Sequence, residues 1–214
     1  MSAAAPRPRG RPRKTPDERD EGNRRQELLH HAARLFRQQG FAATTTRDIA
    51  AAAGMRAGSP FYHFENKVAL LFAVMEQGMR AALQRQAAAL SAVPARATPE
   101  TLLRTLVRAH FDVLLGPGSD FIPVMLYEWR SLSAAQRHGI SELQRDYEAA
   151  WADALQALNA AGSIRADARV ARLMMLGALN WSVQWYKPGK GASLEQLTDT
   201  AMQLFVPTTP RRPP

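Results

Sequence analysis

The 214-residue chain contains no cysteine. That absence excludes disulfides, thiolate metal sites and a cysteine nucleophile. No apolar run approaches the roughly 20 residues that a bilayer-spanning helix requires. The stretch from Met1 to Lys14 lacks the hydrophobic core of a secretory signal. Strand-like alternation of useful length is missing too, so no sheet is expected. Catalytic and metal-binding spacings are equally scarce. His30 and His31 are adjacent, point in different directions on a helix and cannot form an i, i+4 metal pair, while His63, His110 and His138 have no Glu-x-x-His neighbour. Gly116-Pro117-Gly118 and Lys187-Pro188-Gly189-Lys190-Gly191 lack phosphate-loop spacing and a following Ser or Thr, and no nucleophile elbow occurs. The expectation is a cytoplasmic, all-α protein that is not an enzyme and carries no cofactor.

What the chain has is positive charge, and it is unevenly placed. The formal net charge is +9, of which residues 1–67 hold +6, with 13 Lys/Arg against 7 Asp/Glu. An excess of this kind points to a polyanionic partner. The first 14 residues carry Arg7, Arg9, Arg11, Arg13 and Lys14 without one acid, interrupted by Pro6, Pro8, Gly10 and Pro12. Such a segment cannot form a helix and reads as a flexible arm over residues 1–18. Its centre, Arg9-Gly10-Arg11-Pro12, resembles an AT-hook. Gly10 permits close approach to a narrow minor groove, where negative potential concentrates on arginine, and Arg13 and Lys14 extend the contact.

The remainder reads as about nine helices. Residues 19–39 place Leu28, Ala32, Leu35 and Phe36 on one face, and Gly40 ends that helix as a C′ residue. Thr45, with Asp48 three residues on, forms a capping box for a second helix over 46–53 whose Ile49, Ala50 and Ala53 point inward. Gly54 stops it, and a short third helix is expected over 57–63. Two brief helices joined by a tight Gly-containing turn form a helix-turn-helix, the unit that sets its second helix into the DNA major groove. Longer helices follow over 67–92, 99–115, 121–132, 134–161, 168–186 and 194–206, capped by Thr98, Asp167 and Ser193, with a Pro-rich tail over 207–214.

The run Gly40-Phe41-Ala42-Ala43-Thr44-Thr45-Thr46-Arg47-Asp48-Ile49-Ala50, then Ala53-Gly54, Gly58, Tyr62-His63-Phe64 and Lys67, resembles the DNA-binding domain of the TetR family. The match runs from about residue 24 to 72 without gaps. The resemblance implies a helix-turn-helix domain over 19–66, a helical ligand-binding and dimerisation domain over 67–206, and a homodimer facing a palindromic operator in double-stranded DNA. Thr45 and Thr46, at a helix N-terminus, are expected to donate hydroxyl and backbone N–H bonds to a phosphate. Arg47 reaches a phosphate or base edge, and Arg56 is placed for a groove contact with guanine. Ser59, Tyr62 and His63 face outward, Phe61 and Phe64 anchor inward, and Lys67 holds a phosphate as a point charge. Arg56 stands where the family commonly has a small polar residue, and Pro60 where it commonly has an aliphatic one. The operator is therefore expected to have its own base preference.

The C-terminal half is rich in large amphipathic side chains. His110, Phe111, Phe121, Met125, Glu128, Trp129, Arg130, Tyr147, Trp151, Trp181 and Trp185 are the candidate ligand-pocket residues, although aromatics at this spacing also pack bundle cores. The string Asn180-Trp181-Ser182-Val183-Gln184-Trp185-Tyr186-Lys187-Pro188-Gly189 is similar to TetR-type repressors of lipid, steroid and aromatic-acid catabolism, several of which respond to acyl-CoA thioesters. Gln184 stands where that subgroup commonly has a basic residue. Arg130, Lys187 and Lys190 would serve the phosphates, Trp181 or Trp185 the adenine, and Phe121 with Met125 the acyl chain. Met174, Ala178 and Leu179, with Leu197, Ala201 and Leu204, supply the expected stripes of a four-helix dimer interface. The implied mechanism has effector binding tilt the fourth helix, with Gly78 as the place for bending, and so change the separation of the recognition helices. The alternative is an architectural DNA-binding protein without a small-molecule effector.

Overall fold

The computed structural model describes residues 16–56, 58 and 60–206. Among them are nine α-helices and no strand, apart from an isolated bridge between Lys187 and Lys190. None of these helices is long and apolar enough to cross a membrane. Helix α1 (Pro16–Ala43) breaks where Gly40 takes φ +82°, a left-handed conformation that glycine adopts without a Cβ penalty. Leu28, Ala32 and Phe36 are buried along it, and Leu29 and Ala33 widen the apolar face beyond the expected one. Helix α2 (Thr46–Ala52) starts on the capping box of Thr45 and Asp48. Helix α3 (Pro60–His63) is shorter than expected and begins at Pro60, whose fixed φ suits a first helical turn.

Six further helices form the larger half: α4 (Lys67–Ser91), α5 (Pro99–Leu115), α6 (Phe121–Glu128), α7 (Ala134–Ala160), α8 (Ala168–Trp181) and α9 (Leu194–Phe205). Two are shorter than the sequence reading. Helix α6 passes into a 3₁₀ turn, Trp129–Ser131, and Leu132 is already extended because Ser133 and Gln136 form the capping box of α7. Helix α8 passes into a 3₁₀ turn at Ser182–Gln184. The buried Ser182 hydroxyl donates to the Leu179 carbonyl at 2.6 Å and so competes with the helical ladder.

Helix α4 lies at the centre, packed against α1, α5, α6 and α7. Gly78, the place for bending expected on α4, lies directly beneath α6. It makes room for α6, since a Cβ at this position would meet the Phe121 Cβ at 2.7 Å. One apolar core runs from Leu28, Phe36, Ile49 and Phe64 through Leu70 and Val74 to Trp151, Leu155 and Leu179. Part of the expected dimer stripe belongs to this core. Leu179 and Ala201 are buried and Leu197 packs half-buried against it, whereas Met174, Ala178 and Leu204 are exposed. The exposed face of α8 runs one position round from the expected one, through Val170, Leu173, Met174, Gly177, Ala178 and Trp181.

Candidate functional site

The outer face of α2 and α3 is polar and open. Arg47 and Arg56 are exposed, Tyr62 is 90% exposed, and His63 is half-buried with its ring 6.5 Å from that of Phe64. Phe64 is buried as expected, with the Arg25 guanidinium 5.0 Å from its ring centre. Arg9, Arg11, Arg13, Lys14, Ser59 and the Phe61 side chain lie outside the described residues. Two phosphate-binding expectations need correction. The Thr45 hydroxyl donates to Asp48 Oδ2 at 2.7 Å and accepts the Asp48 N–H, and the Thr45 N–H donates to the same carboxylate. Its donors are therefore spent on the cap, whereas the hydroxyl of the half-buried Thr46 bonds to none of the described residues. These bonds, the Thr45 hydroxyl first, hold the Asp48 carboxyl below the usual carboxylate range. Lys67 likewise turns inward: its Nζ donates to the carbonyls of Phe41 and Thr44, each at 2.8 Å, and sits 4.2 Å from the Phe41 ring centre. Both carbonyls lie on the chain between the break at Gly40 and the start of α2, and together with the Phe41 ring they hold the ammonium inward.

The candidate effector site is a cavity of about 50 Å³ inside the larger half. Three of the expected residues meet there, His110, Met125 and Tyr147. Helix α4 adds Met79, α7 adds Gln144 and Glu148, and α8 adds Leu176 and Asn180. His110 is hydrogen-bonded on both sides, by Nδ1 to the Tyr147 hydroxyl at 2.9 Å and by Nε2 to Asn180 Oδ1 at 3.1 Å. Burial lowers the His110 pKa to about 4 and pushes the Tyr147 phenol up. Glu148 pairs with Arg172 of α8 at 3.3 Å. Asn180 stood in the sequence as part of a string rather than as a site residue. Its partner is 70 residues away, so no local spacing announces the pairing.

The other expected pocket residues go elsewhere. Trp151 is fully buried, donates Nε1–H to Gln86 Oε1 at 3.0 Å and sets its ring edge-on to His110. Phe111 is buried outside the cavity lining, and Phe121 lines a separate cleft of about 250 Å³ with His30 and Gly78. Trp129 packs half-buried against the core, and Arg130 is exposed. Trp181 and Trp185 are 65% and 54% exposed, on the outward side of the chain, and do not reach the cavity. An outward stripe and a pocket wall have the same apolar composition, so sequence alone does not tell one from the other.

Glu128 takes a role at the junction of the two halves. Its Oε1 accepts the Phe41 N–H at 2.9 Å, and its Oε2 accepts the Ser131 hydroxyl at 3.2 Å. At the other end of α6, Asp120 pairs with Arg37 of α1 at 2.9 Å, and Arg37 also donates to the Ser119 carbonyl. Both ends of α6 therefore grip α1, while Ile122 and Met125 between them line the cavity.

Comparison with known proteins agrees with this arrangement. Residues 28–74 match the model of the bacterial regulatory proteins of the tetR family, and residues 96–208 match a tetracyclin repressor-like C-terminal domain. The chain is 30% identical over 194 residues to the HTH-type transcriptional repressor KstR2 of Rhodococcus jostii (strain RHA1), covering 89% of this chain and 93% of that protein. The solved structure of AibR with isovaleryl coenzyme A and operator DNA is similar at 28% identity and a TM-score of 0.78, covering 86% and 98% of the two chains. A structure described as the superantigen PfiT is similar at 34% identity and a TM-score of 0.72, over 87% and 97%.

Proposed function

The chain belongs to the TetR family of bacterial regulatory proteins and is a DNA-binding transcriptional regulator; from that premise we propose that it is a repressor released from its operator by a small hydrophobic or acyl-CoA-type effector. In this reading residues 19–66 bind DNA and residues 67–206 bind effector and dimerise. The basic arm expected over residues 1–18 precedes this unit, although its last three residues already belong to α1, and residues 207–214 follow it. The exposed apolar face of α8 supports a homodimer, since Val170, Leu173, Met174 and Trp181 are otherwise left in water. A two-fold pair presents two recognition helices to an approximately palindromic site. Arg47, Arg56, Tyr62 and His63 are the side chains open to DNA, with Thr46 beside them.

The observation that carries the reading is the double duty of α6. Met125 lines the cavity, and Glu128, three residues on and so on the same side of the helix, holds the Phe41 N–H beside the helix-turn-helix. An effector that displaces Met125 shifts Glu128 and the Asp120–Arg37 pair with it. Only an effector that binds the two α6 positions with different affinity drives release.

The test begins with selection of an operator from random DNA, followed by anisotropy titration with isovaleryl-CoA, the ligand named for the AibR structure. Release of DNA by wild type is expected. In Glu128→Ala, ligand affinity is expected to persist while its effect on DNA weakens. Acyl-CoA esters that bind without ever changing DNA affinity would favour the architectural alternative and end this proposal.

A further inference from the structure

We infer that His110, Tyr147 and Asn180 select an uncharged carbonyl-bearing head group, a ketone or thioester, for the buried end of the effector, and reject a carboxylate. The inference deepens the proposed function and rests on its reading of the cavity as the effector site. Its physical basis is the direction of the hydrogen-bond chain. His110 Nε2 faces Asn180 Oδ1, so it is the protonated nitrogen and donates. Nδ1 then accepts, and the Tyr147 hydroxyl donates to it. With Oδ1 occupied, the Asn180 amide has two N–H donors that no acceptor among the described residues takes. They belong to a side chain that lines the cavity. Amide donors bind a carbonyl oxygen well and need no counter-charge.

A carboxylate meets a different environment in the same space. Among the described residues no Lys or Arg lines this cavity, and the charged side chain that does is Glu148. The cation beside Glu148, Arg172 of α8, pairs with it at 3.3 Å, and Arg85 lines the neighbouring cleft rather than this cavity. His110 cannot supply the charge either. With its pKa held at about 4, only about one molecule in a thousand is protonated at pH 7. A carboxylate would be buried beside an acid with no cation of its own, a costly arrangement. The size of the cavity, about 50 Å³, suits a head group of a few atoms. The body of a longer ligand has a course available, because Ala82, Val113 and Ile122 also line the neighbouring 250 Å³ cleft.

Calorimetry with isovaleryl-CoA and isopentyl-CoA, its thioether analogue, reads the head group directly, because the pair differs only in the carbonyl oxygen. The thioester is expected to bind about tenfold more tightly, and Asn180→Ala is expected to abolish the preference. A second pair carries no coenzyme: 4-methyl-2-pentanone and isovalerate, nearly equal in shape and opposite in charge. The ¹⁵N resonances of the His110 ring are expected to move with the ketone and not with the carboxylate. Isovalerate binding more tightly than the ketone, or His110 resonances unmoved by both ketone and thioester, overturns the assignment. If the ketone moves His110 while isovaleryl-CoA leaves operator binding unchanged, the acyl-CoA reading falls and the neutral head group stands. If thioester and thioether bind equally and both release the operator, the head-group assignment falls and the repressor reading stands.

Discussion

Two small polar clusters, one in each half of the molecule, are built on opposite plans. Thr45 and Asp48 are three residues apart, exposed, and bonded through a hydroxyl, a carboxylate and two backbone N–H groups. His110, Tyr147 and Asn180 come from α5, α7 and α8, are separated by 37 and 70 residues, and sit in or against the core. The first is specified by the chain next to it, is solvated, and is cheap to change. The second exists only when three helices have docked, and His110 and Tyr147 have been withdrawn from water at a cost that their neighbours must offset. The DNA-facing half thus presents side chains on a locally determined frame, and the effector half holds its polar groups in reserve behind apolar packing. A ligand that alters the second kind of cluster acts on the packing itself. That is what a switch requires.

The difference predicts a gradient of mutational cost. Trp151→Ala removes the fully buried wall against His110 and the donor to Gln86, and is expected to cost about 3–5 kcal/mol, seen as a large fall in the denaturant midpoint. Acid comes next. Burial lowers His110 from 6.5 to about 4, so between those values the unfolded chain takes up a proton that the native state refuses. Stability is expected to fall as pH drops through that window, by roughly 3 kcal/mol at most, and His110→Gln should remove this part of the slope. Gly78→Ala forces a methyl group against Phe121 and is expected to cost about 1–3 kcal/mol. Because Phe121 opens α6, the same change should also alter operator affinity without effector. Thr45→Ala is the smallest, about 1 kcal/mol from the lost cap, with effector affinity unchanged. Should Thr45→Ala cost as much as Trp151→Ala, the contrast between the two clusters would be wrong.

Legibility in the sequence followed the same division. The capping boxes at Thr45 and Ser193, the caps Thr98 and Asp167, the stop at Gly40 and the Pro99 start are all short-range devices, and each was readable because its partner lies within a few residues. The apolar periodicity of α6 and α8 runs past their ends, because a competing cap and a buried serine hydroxyl stop them sooner. A lysine that opens a helix looks free in sequence, and this makes Lys67 resemble a phosphate ligand. Its two carbonyl partners, in the turn after Gly40, come close only when α1 and α4 pack. Trp181 and Leu179 differ by two residues and lie on opposite faces of one helix, one exposed and the other buried, yet their hydrophobicity is alike, so composition does not distinguish the two faces.

The sequence by itself determined the all-helical class, the helix-turn-helix with its caps and turn, and the concentration of charge ahead of residue 67. These are properties of near neighbours, whose spacing is fixed by helical geometry before any folding. Only the tertiary structure decided that Glu128 grips the Phe41 turn, that Gly78 admits Phe121, and that Asn180 meets His110. Those pairings depend on how helices distant in the chain cross. That is set by the packing of the whole core rather than by any local stretch of it.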